Sequence, residues 1–298
     1  MNQPMEANTT LSCRIVSKIG AVDPLMRLRF KYLTFIRVAL VAAAFALAAS
    51  TLAAQKVENG LLDRTVVVNS IEYRYQVFVP REFTRTKTWP VIMVLHGGGT
   101  YGSDGIRATE GGLGRVIRSS RKGFPAIVIF PQAHADGTPG WQLEGGQAAM
   151  AALDLSIKEF KGDPKRVVLT GYSAGGNGTW SLASRYTDRF AAIVPICSFI
   201  FKFKGGTSGV EYPALAPADA GDPYAFIARK VVSLPVWIFH GDADKNVSVE
   251  ESRKMAAALK AVGANVQYTE FPGVDHNAWD PAYARADLIE WMLKQRRR

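Results

Sequence analysis

The chain has 298 residues, with 36 Lys and Arg against 26 Asp and Glu, for a formal net charge of +10. Apolar residues make up 48% and charged residues 21%, a globular composition that excludes a disordered or collagen-like chain. Two cysteines, Cys13 and Cys197, are too few for a disulfide framework or a Cys-rich zinc site.

Part of the basic excess lies near the N-terminus. Arg27, Arg29, Lys31 and Arg37 precede an uncharged, Ala-rich run from Val38 to Gln55, with small residues at Thr51-Leu52-Ala53 for cleavage. That order is the pattern of a secretory signal. It predicts a leader over residues 1–54, a catalytic domain over 55–298, and a secreted or periplasmic location. The long stretch before Met26 suggests translation from Met26. The run is also just long enough to anchor in a bilayer, so an uncleaved leader is the one expected route to a membrane. The leader carries six basic residues against two acidic ones, which leaves +6 and the single thiol of Cys197 on residues 55–298. No basic stripe interleaved with aromatics occurs, so nucleic acid is not an expected partner.

From residue 64 onward the chain alternates in character. Arg64–Val68 and Tyr73–Val79 are β-rich around Asn69-Ser70 and read as a hairpin. Val91–Leu95, Ala126–Phe130, Val167–Leu169, Ala191–Pro195 and Val236–Phe239 are almost wholly apolar, as strands buried on both faces of a parallel sheet would be. Between them fall helix-like segments near Gly112–Ser120, Gln147–Phe160, Gly176–Tyr186 and Val249–Val262. A last run, Val266–Phe271, precedes a single predicted helix over Pro281–Lys294. The expected fold is α/β: a mostly parallel, doubly wound sheet with an N-terminal antiparallel hairpin. Residues 198–232 break the rhythm with six aromatics among Gly, Pro and Ala. They read either as a lid or substrate-facing insertion or as a packed excursion with a short helix.

Gly171-Tyr172-Ser173-Ala174-Gly175 fits G-x-S-x-G between a strand and a helix, the context in which a sharp turn exposes a nucleophilic hydroxyl. A serine needs a base, and the base needs a third group to hold its tautomer. Of the four histidines, only His276 follows both Ser173 and an acid at a strand end. Two acids follow the Pro235–Phe239 strand, Asp242 and Asp244. Asp244 lies further into its loop and is the expected partner, with Asp242 expected to cap its own turn. Asp275, beside the base, is expected to be solvated or to cap the next helix. Oxyanion donors are expected from the N–H of Ala174 and from the His96-Gly97-Gly98-Gly99 loop, Gly98 first and Gly97 next, with His96 as a brace. Gly97, Gly99 and Gly102 also satisfy G-x-G-x-x-G, but no acid follows at the distance a ribose would require, so no dinucleotide is expected. No H-E-x-x-H or Cys/His cluster points to a metal. Trp141, Trp279 and Phe199 are candidates to line the substrate, and Cys197 reads as a small buried residue.

These motifs together resemble a known group. LHGGG at 95–99, GYSAGGNGTW at 171–180, PVWIFHGDAD at 235–244 and GVDHNAW at 273–279 are similar to the α/β-hydrolase fold. More narrowly, they resemble bacterial secreted carboxylesterases, feruloyl esterases and polyhydroxybutyrate-depolymerase-like enzymes, and predicted peptidases of the prolyl-oligopeptidase clan. The resemblance runs from about Arg64 to the C-terminus. It implies a Ser–Asp–His triad at Ser173, Asp244 and His276, no cofactor, and a small or polymeric ester as substrate. A peptidase on the same triad is the alternative, and a non-catalytic binding protein on this fold is the reading from another class. The 198–232 stretch is longer than compact members of that group would have.

Overall fold

Alternate residues of the central strands turn to opposite faces of one eight-stranded sheet, and both faces are covered. The structure, a computed structural model, describes residues 58–120, 123–134, 140–204 and 210–298, with isolated positions 25, 33 and 35. The leader expected over 1–54, with Met26 and its cleavage site, otherwise lies outside the described residues. Residues 57–298 form one compact unit.

The strands are β1 (Gly60–Val68), β2 (Ile71–Val79), β3 (Trp89–Leu95), β4 (Ile127–Pro131), β5 (Gly162–Tyr172), β6 (Ala192–Ile196), β7 (Phe203–Lys204), β8 (Glu211–Tyr212), β9 (Val236–Gly241) and β10 (Val266–Phe271). The main sheet runs β1-β2-β4-β3-β5-β6-β9-β10, and β7 pairs β8 apart from it. Strands β1 and β2 form the predicted hairpin, and β2 also runs antiparallel to β4. Asn69 and Ser70 both have positive φ, +51° and +67°, as a two-residue turn must have to follow the right-handed strand twist. From β4 onward every pairing in the main sheet is parallel.

In β3, Val91, Met93 and Leu95 enter one core layer while Ile92 and Val94 enter the other, and β5 divides likewise between Val167 and Leu169 and Val168. Burial on both faces is why these strands read as unbroken apolar runs. The helices are α1 (Gly112–Ser119), α2 (Glu144–Glu159), α3 (Ala174–Arg185), α4 (Pro223–Val231), α5 (Glu250–Ala261), α6 (Trp279–Tyr283) and α7 (Ala286–Lys294). The first layer takes its helical residues from α2, α3, α4 and α5, and the second from α1, α6 and α7. This is the doubly wound α/β-hydrolase fold.

Two elements depart from expectation. The helix predicted over 281–294 is split, because Arg285 is extended (φ −75°, ψ 121°) between α6 and α7. Its guanidinium grips Asp287, whose carboxylate also accepts the Leu288 N–H at the start of α7. Strand β5 starts five residues earlier than its apolar run, since Gly162-Asp163-Pro164 carries no apolar signal. Within 198–232, α4 begins on Pro223 with Asp222 capping the Tyr224 N–H at 2.9 Å. Phe199 packs on Phe203 and Tyr212 at centroid distances of 4.5 and 5.3 Å. The Tyr212 hydroxyl meets that of Tyr101 at 2.9 Å.

The exit of β3 is pinned by His96, which is fully buried. Its Nδ1–H donates to Gly97 O at 2.8 Å, and its Nε2 accepts the Ala133 N–H at 3.1 Å. Trp141 donates its indole N–H to His96 O at 3.0 Å. Burial pushes the His96 pKa down from 6.5 to about 4. Between those values the unfolded chain binds a proton that the folded chain refuses, so stability rises with pH across that window and is complete above it. Urea denaturation of the parent should therefore show up to about 3 kcal/mol of stability lost as pH falls from 6.5 to 4. His96→Asn should lack that component, and equal slopes in the two proteins would refute it.

Candidate active site

Parallel registry brings five loops to one edge of the sheet. Leu95 pairs Gly171, Tyr172 pairs Ile196, Ile196 pairs Phe239, and Gly241 pairs Phe271, so the chain leaves β3, β5, β6, β9 and β10 at one level. This carboxyl-terminal edge is where ligands bind in open α/β sheets.

Ser173 occupies the single residue between β5 and α3, at φ +56° and ψ −119°. Such a conformation costs about 1–3 kcal/mol for a non-glycine residue and persists only where neighbours impose it. Here they do. A Cβ at Gly175 would stand 2.0 Å from Leu95 O, and one at Gly171 would stand 2.3 Å from Gly175 O. The first turn of α3 is thus pressed onto the end of β3, and the main chain must double back at Ser173. Its N–H donates to Ile196 O at 3.0 Å.

The Ser173 Oγ lies 2.9 Å from His276 Nε2, and His276 Nδ1 lies 2.8 Å from Asp244 Oδ2. The Asp244 side chain is wholly buried. Its Oδ1 accepts the N–H groups of Asn246 and Val247 at 2.8 and 2.9 Å. Its Oδ2 also faces His240 Nε2 at 3.1 Å. Burial acts to raise the Asp244 pKa, but the bonds from His240, His276 and Val247 outweigh it and hold the carboxyl well below the usual range. Asp244 is therefore ionised at any working pH.

Of the two neighbouring acids, Asp242 acts differently from expectation. Asp242 does not cap its own turn; its Oδ1 accepts the Gly273 N–H at 2.7 Å. Asp275 is solvent-exposed, as expected, and also takes main-chain partners. Its Oδ1 accepts the N–H groups of Lys245 and His276, at 2.9 and 2.8 Å, and its carboxylate pairs with Lys245 Nζ at 3.4 Å. Both aspartates tie the Asp244 loop to the His276 loop.

A cleft of about 810 Å³ opens over Ser173 and His276. Gly97, Gly98 and Ala174 border it, as do Trp279 and Phe199. Gly98 begins a short 3₁₀ turn and Ala174 begins α3, so both N–H groups lack an acceptor within their own turn. Gly97 lies against the Tyr172 ring, where a Cβ would come within 3.0 Å of Cε2. Trp279 stacks on Tyr172 at 4.5 Å and meets the His276 ring edge-on at 5.5 Å. Trp141 is a correction: it is fully buried, packs edge-on against His96, and forms no part of the cleft wall. The strand-to-helix route places its ring under the β3 loop, and a Cβ at Gly178 would collide with it at 2.5 Å.

Sequence reasoning missed the ionic side of the cleft, where Arg107, Glu110, Arg115 and Asp280 lie and Arg115 pairs Asp280 at 2.9 Å. Nothing in the periodicity of α1 marks which polar residues turn toward another loop. It also missed His240, for which adjacency to the acid loop was the available signal. Cys197, next to the site at φ +38°, is fully buried, and burial raises its thiol well above the ordinary value. Cys197, Asp244 and His276 are the one trio of metal-donor side chains among the described residues whose ligand atoms all lie within 4.8 Å. Two of them already share the 2.8 Å bond, which a cation would have to displace. Among the described residues no helix is long and apolar enough to cross a membrane.

Several known proteins share this framework. A secreted protein of Arthroderma benhamiae is 26% identical over 223 residues, covering 67% of this chain and 22% of its own. The peptidase YuxL of Bacillus subtilis is 27% identical over 228 residues, covering 66% of this chain and 32% of its own. The chain thus spans between a fifth and a third of the length of these two relatives. The crystal structure of a thermostable esterase superposes with a TM-score of 0.64 at 26% identity, covering 80% of this chain and 63% of that one. Residues 141–295, more than half of the chain and including Ser173, Asp244 and His276, match the sequence pattern of the prolyl oligopeptidase family. The chain belongs to the prolyl oligopeptidase family.

Proposed function

We propose that this chain is a serine hydrolase that cleaves carboxylic esters through an acyl-enzyme. The observation that carries the reading is the unbroken line from Ser173 Oγ through His276 to a buried, ionised Asp244, with contacts of 2.9 and 2.8 Å. Ser173 Oγ attacks the ester carbonyl while His276 Nε2 takes its proton, and the carbonyl oxygen becomes an oxyanion held by the N–H groups of Ala174 and Gly98. Collapse of this intermediate breaks the bond to the alcohol, which leaves with the proton from His276. Water then attacks the acyl-enzyme by the same route, His276 taking and returning a proton, and the carboxylic acid departs. Asp244 stays ionised throughout and stabilises the imidazolium. No cofactor is required. Export by the leader fits the secreted relative and puts the enzyme outside the cytoplasm, where a small or polymeric ester is the substrate.

A second reading, peptide hydrolysis by the same residues, is favoured by the family and by the peptidase relative. The chemistry differs only in the leaving group, an amine that His276 must protonate.

Ser173→Ala should lower turnover of a short-chain nitrophenyl ester by roughly 10⁴–10⁶-fold with the fold intact by circular dichroism. Asp244→Asn should lose about 10⁴-fold, since His276 would then be held in the wrong tautomer. Ordinary turnover in either variant refutes the triad. A release assay with acetyl and feruloyl esters beside short peptides separates the two readings: the first expects ester cleavage to dominate kcat/KM, and preferential peptide cleavage would overturn it. Absence of fluorophosphonate labelling of the folded protein would instead indicate a binding protein.

A further inference from the structure

We propose that His240 is a positioning residue for the Asp244–His276 pair, an inference that rests on the Ser–His–Asp reading above. His240 lies near the end of β9, is fully buried, and touches neither the cleft nor Ser173. Its Nε2 faces two acceptors, Asp244 Oδ2 at 3.1 Å and Val247 O at 3.0 Å. An imidazole nitrogen between two acceptors must carry the proton. Its Nδ1 lies 2.7 Å from the Ser252 Oγ of α5, so both ring nitrogens are hydrogen-bonded. The two acceptors on Nε2 fix the tautomer, and Ser252 holds the ring from its other nitrogen.

The consequence falls on Asp244. Each of its carboxylate oxygens receives two N–H groups: main-chain donors on Oδ1, and imidazole donors from His240 and His276 on Oδ2. A carboxylate offers about four such acceptor directions, so all are used. With Oδ1 held by its own loop and Oδ2 held from behind by His240, the carboxylate cannot swivel about its terminal bond. Oδ2 stays aimed at His276 Nδ1. A saturated carboxylate of this kind orients its partner as outer groups orient a metal-bound histidine, where their loss typically costs 10–100-fold.

Two substitutions separate donor from bulk. Gln places its amide Nε2 as many bonds from Cα as the His Nε2, whereas Leu fills the space without a donor. In the full chain, His240→Leu should lower kcat for a short-chain nitrophenyl ester about 10–100-fold with KM unchanged. It should also displace the downfield proton resonance of the His276 Nδ1–H. His240→Gln should restore most of both. A folded His240→Leu with parental kcat and resonance overturns the proposal, as does a His240→Gln no better than Leu. If His240→Leu does not fold, Ser252→Ala carries the test: the same displacement and a smaller loss of kcat are expected, and no change in either overturns it. Fluorophosphonate labelling of the parent, abolished in Ser173→Ala, is measured alongside. Its absence from the parent sinks the Ser–His–Asp reading itself, whereas normal labelling with an unaltered His240→Leu sinks only the positioning role.

Discussion

A carbonyl oxygen of β3 occupies the place a side chain at position 175 would need. With Gly175 wedged 2.0 Å, by its missing Cβ, from Leu95 O, α3 can sit directly on the sheet only if the chain reverses within one residue. Ser173 is that residue, and its positive φ is the local cost, on the order of 1–3 kcal/mol. The cost is offset by what the close approach buries, since Trp180, Leu182 and Ala183 of α3 pack into the first core layer. The same approach sets Ala174 beside the glycines of the β3 exit, so hydroxyl and main-chain donors share one rim. Geometry at the rim is therefore a by-product of backbone crowding below it.

The opposite half of the site depends on softer contacts. Asp244 and His276 come from loops 32 positions apart, and what aligns them is a set of main-chain-directed bonds. Asp242 reaches Gly273, Asp275 reaches Lys245, the Ala243 N–H meets Val274 O at 3.1 Å, and Gly241 leaves room for that carbonyl. Each such bond contributes only about 0.5–1.5 kcal/mol. Together they leave the two loops a single relative register, and the aspartates that flank Asp244 and His276 serve this splice.

How much of this was legible depended on where the determining contact lay. Burial on both faces writes itself into sequence as an uninterrupted apolar run, so β3, β4, β6 and β9 were readable to within a residue or two. The contact of His276 with Ser173 was readable because chain order left a single histidine. The choice between Asp242 and Asp244 could not be made from the strand alone, since both follow β9 and differ only in how their loop folds back. Trp141 misled because an indole beside a glycine-rich segment looks equally suited to a wall or a brace, and only the tertiary path shows it under His96. The break at Arg285 escaped because it depends on a side-chain fork to Asp287 and leaves the apolar period of α7 intact. The ionic residues of the cleft were invisible for the reason most surface charges are: nothing in a polar position says what it faces.

The bond between the Tyr101 and Tyr212 hydroxyls joins segments 111 positions apart. Tyr101 belongs to the loop that carries Gly97 and Gly98, whereas Tyr212 belongs to the aromatic excursion with Phe199 and Phe203. One wall of the cleft is therefore built from a different segment than Ser173, His276 and Asp244, and a phenol pair moors it to the loop of Gly97 and Gly98. Substitutions at Phe199, Phe203 or Tyr212 can reshape that wall while the contacts joining Ser173, His276 and Asp244 keep their places.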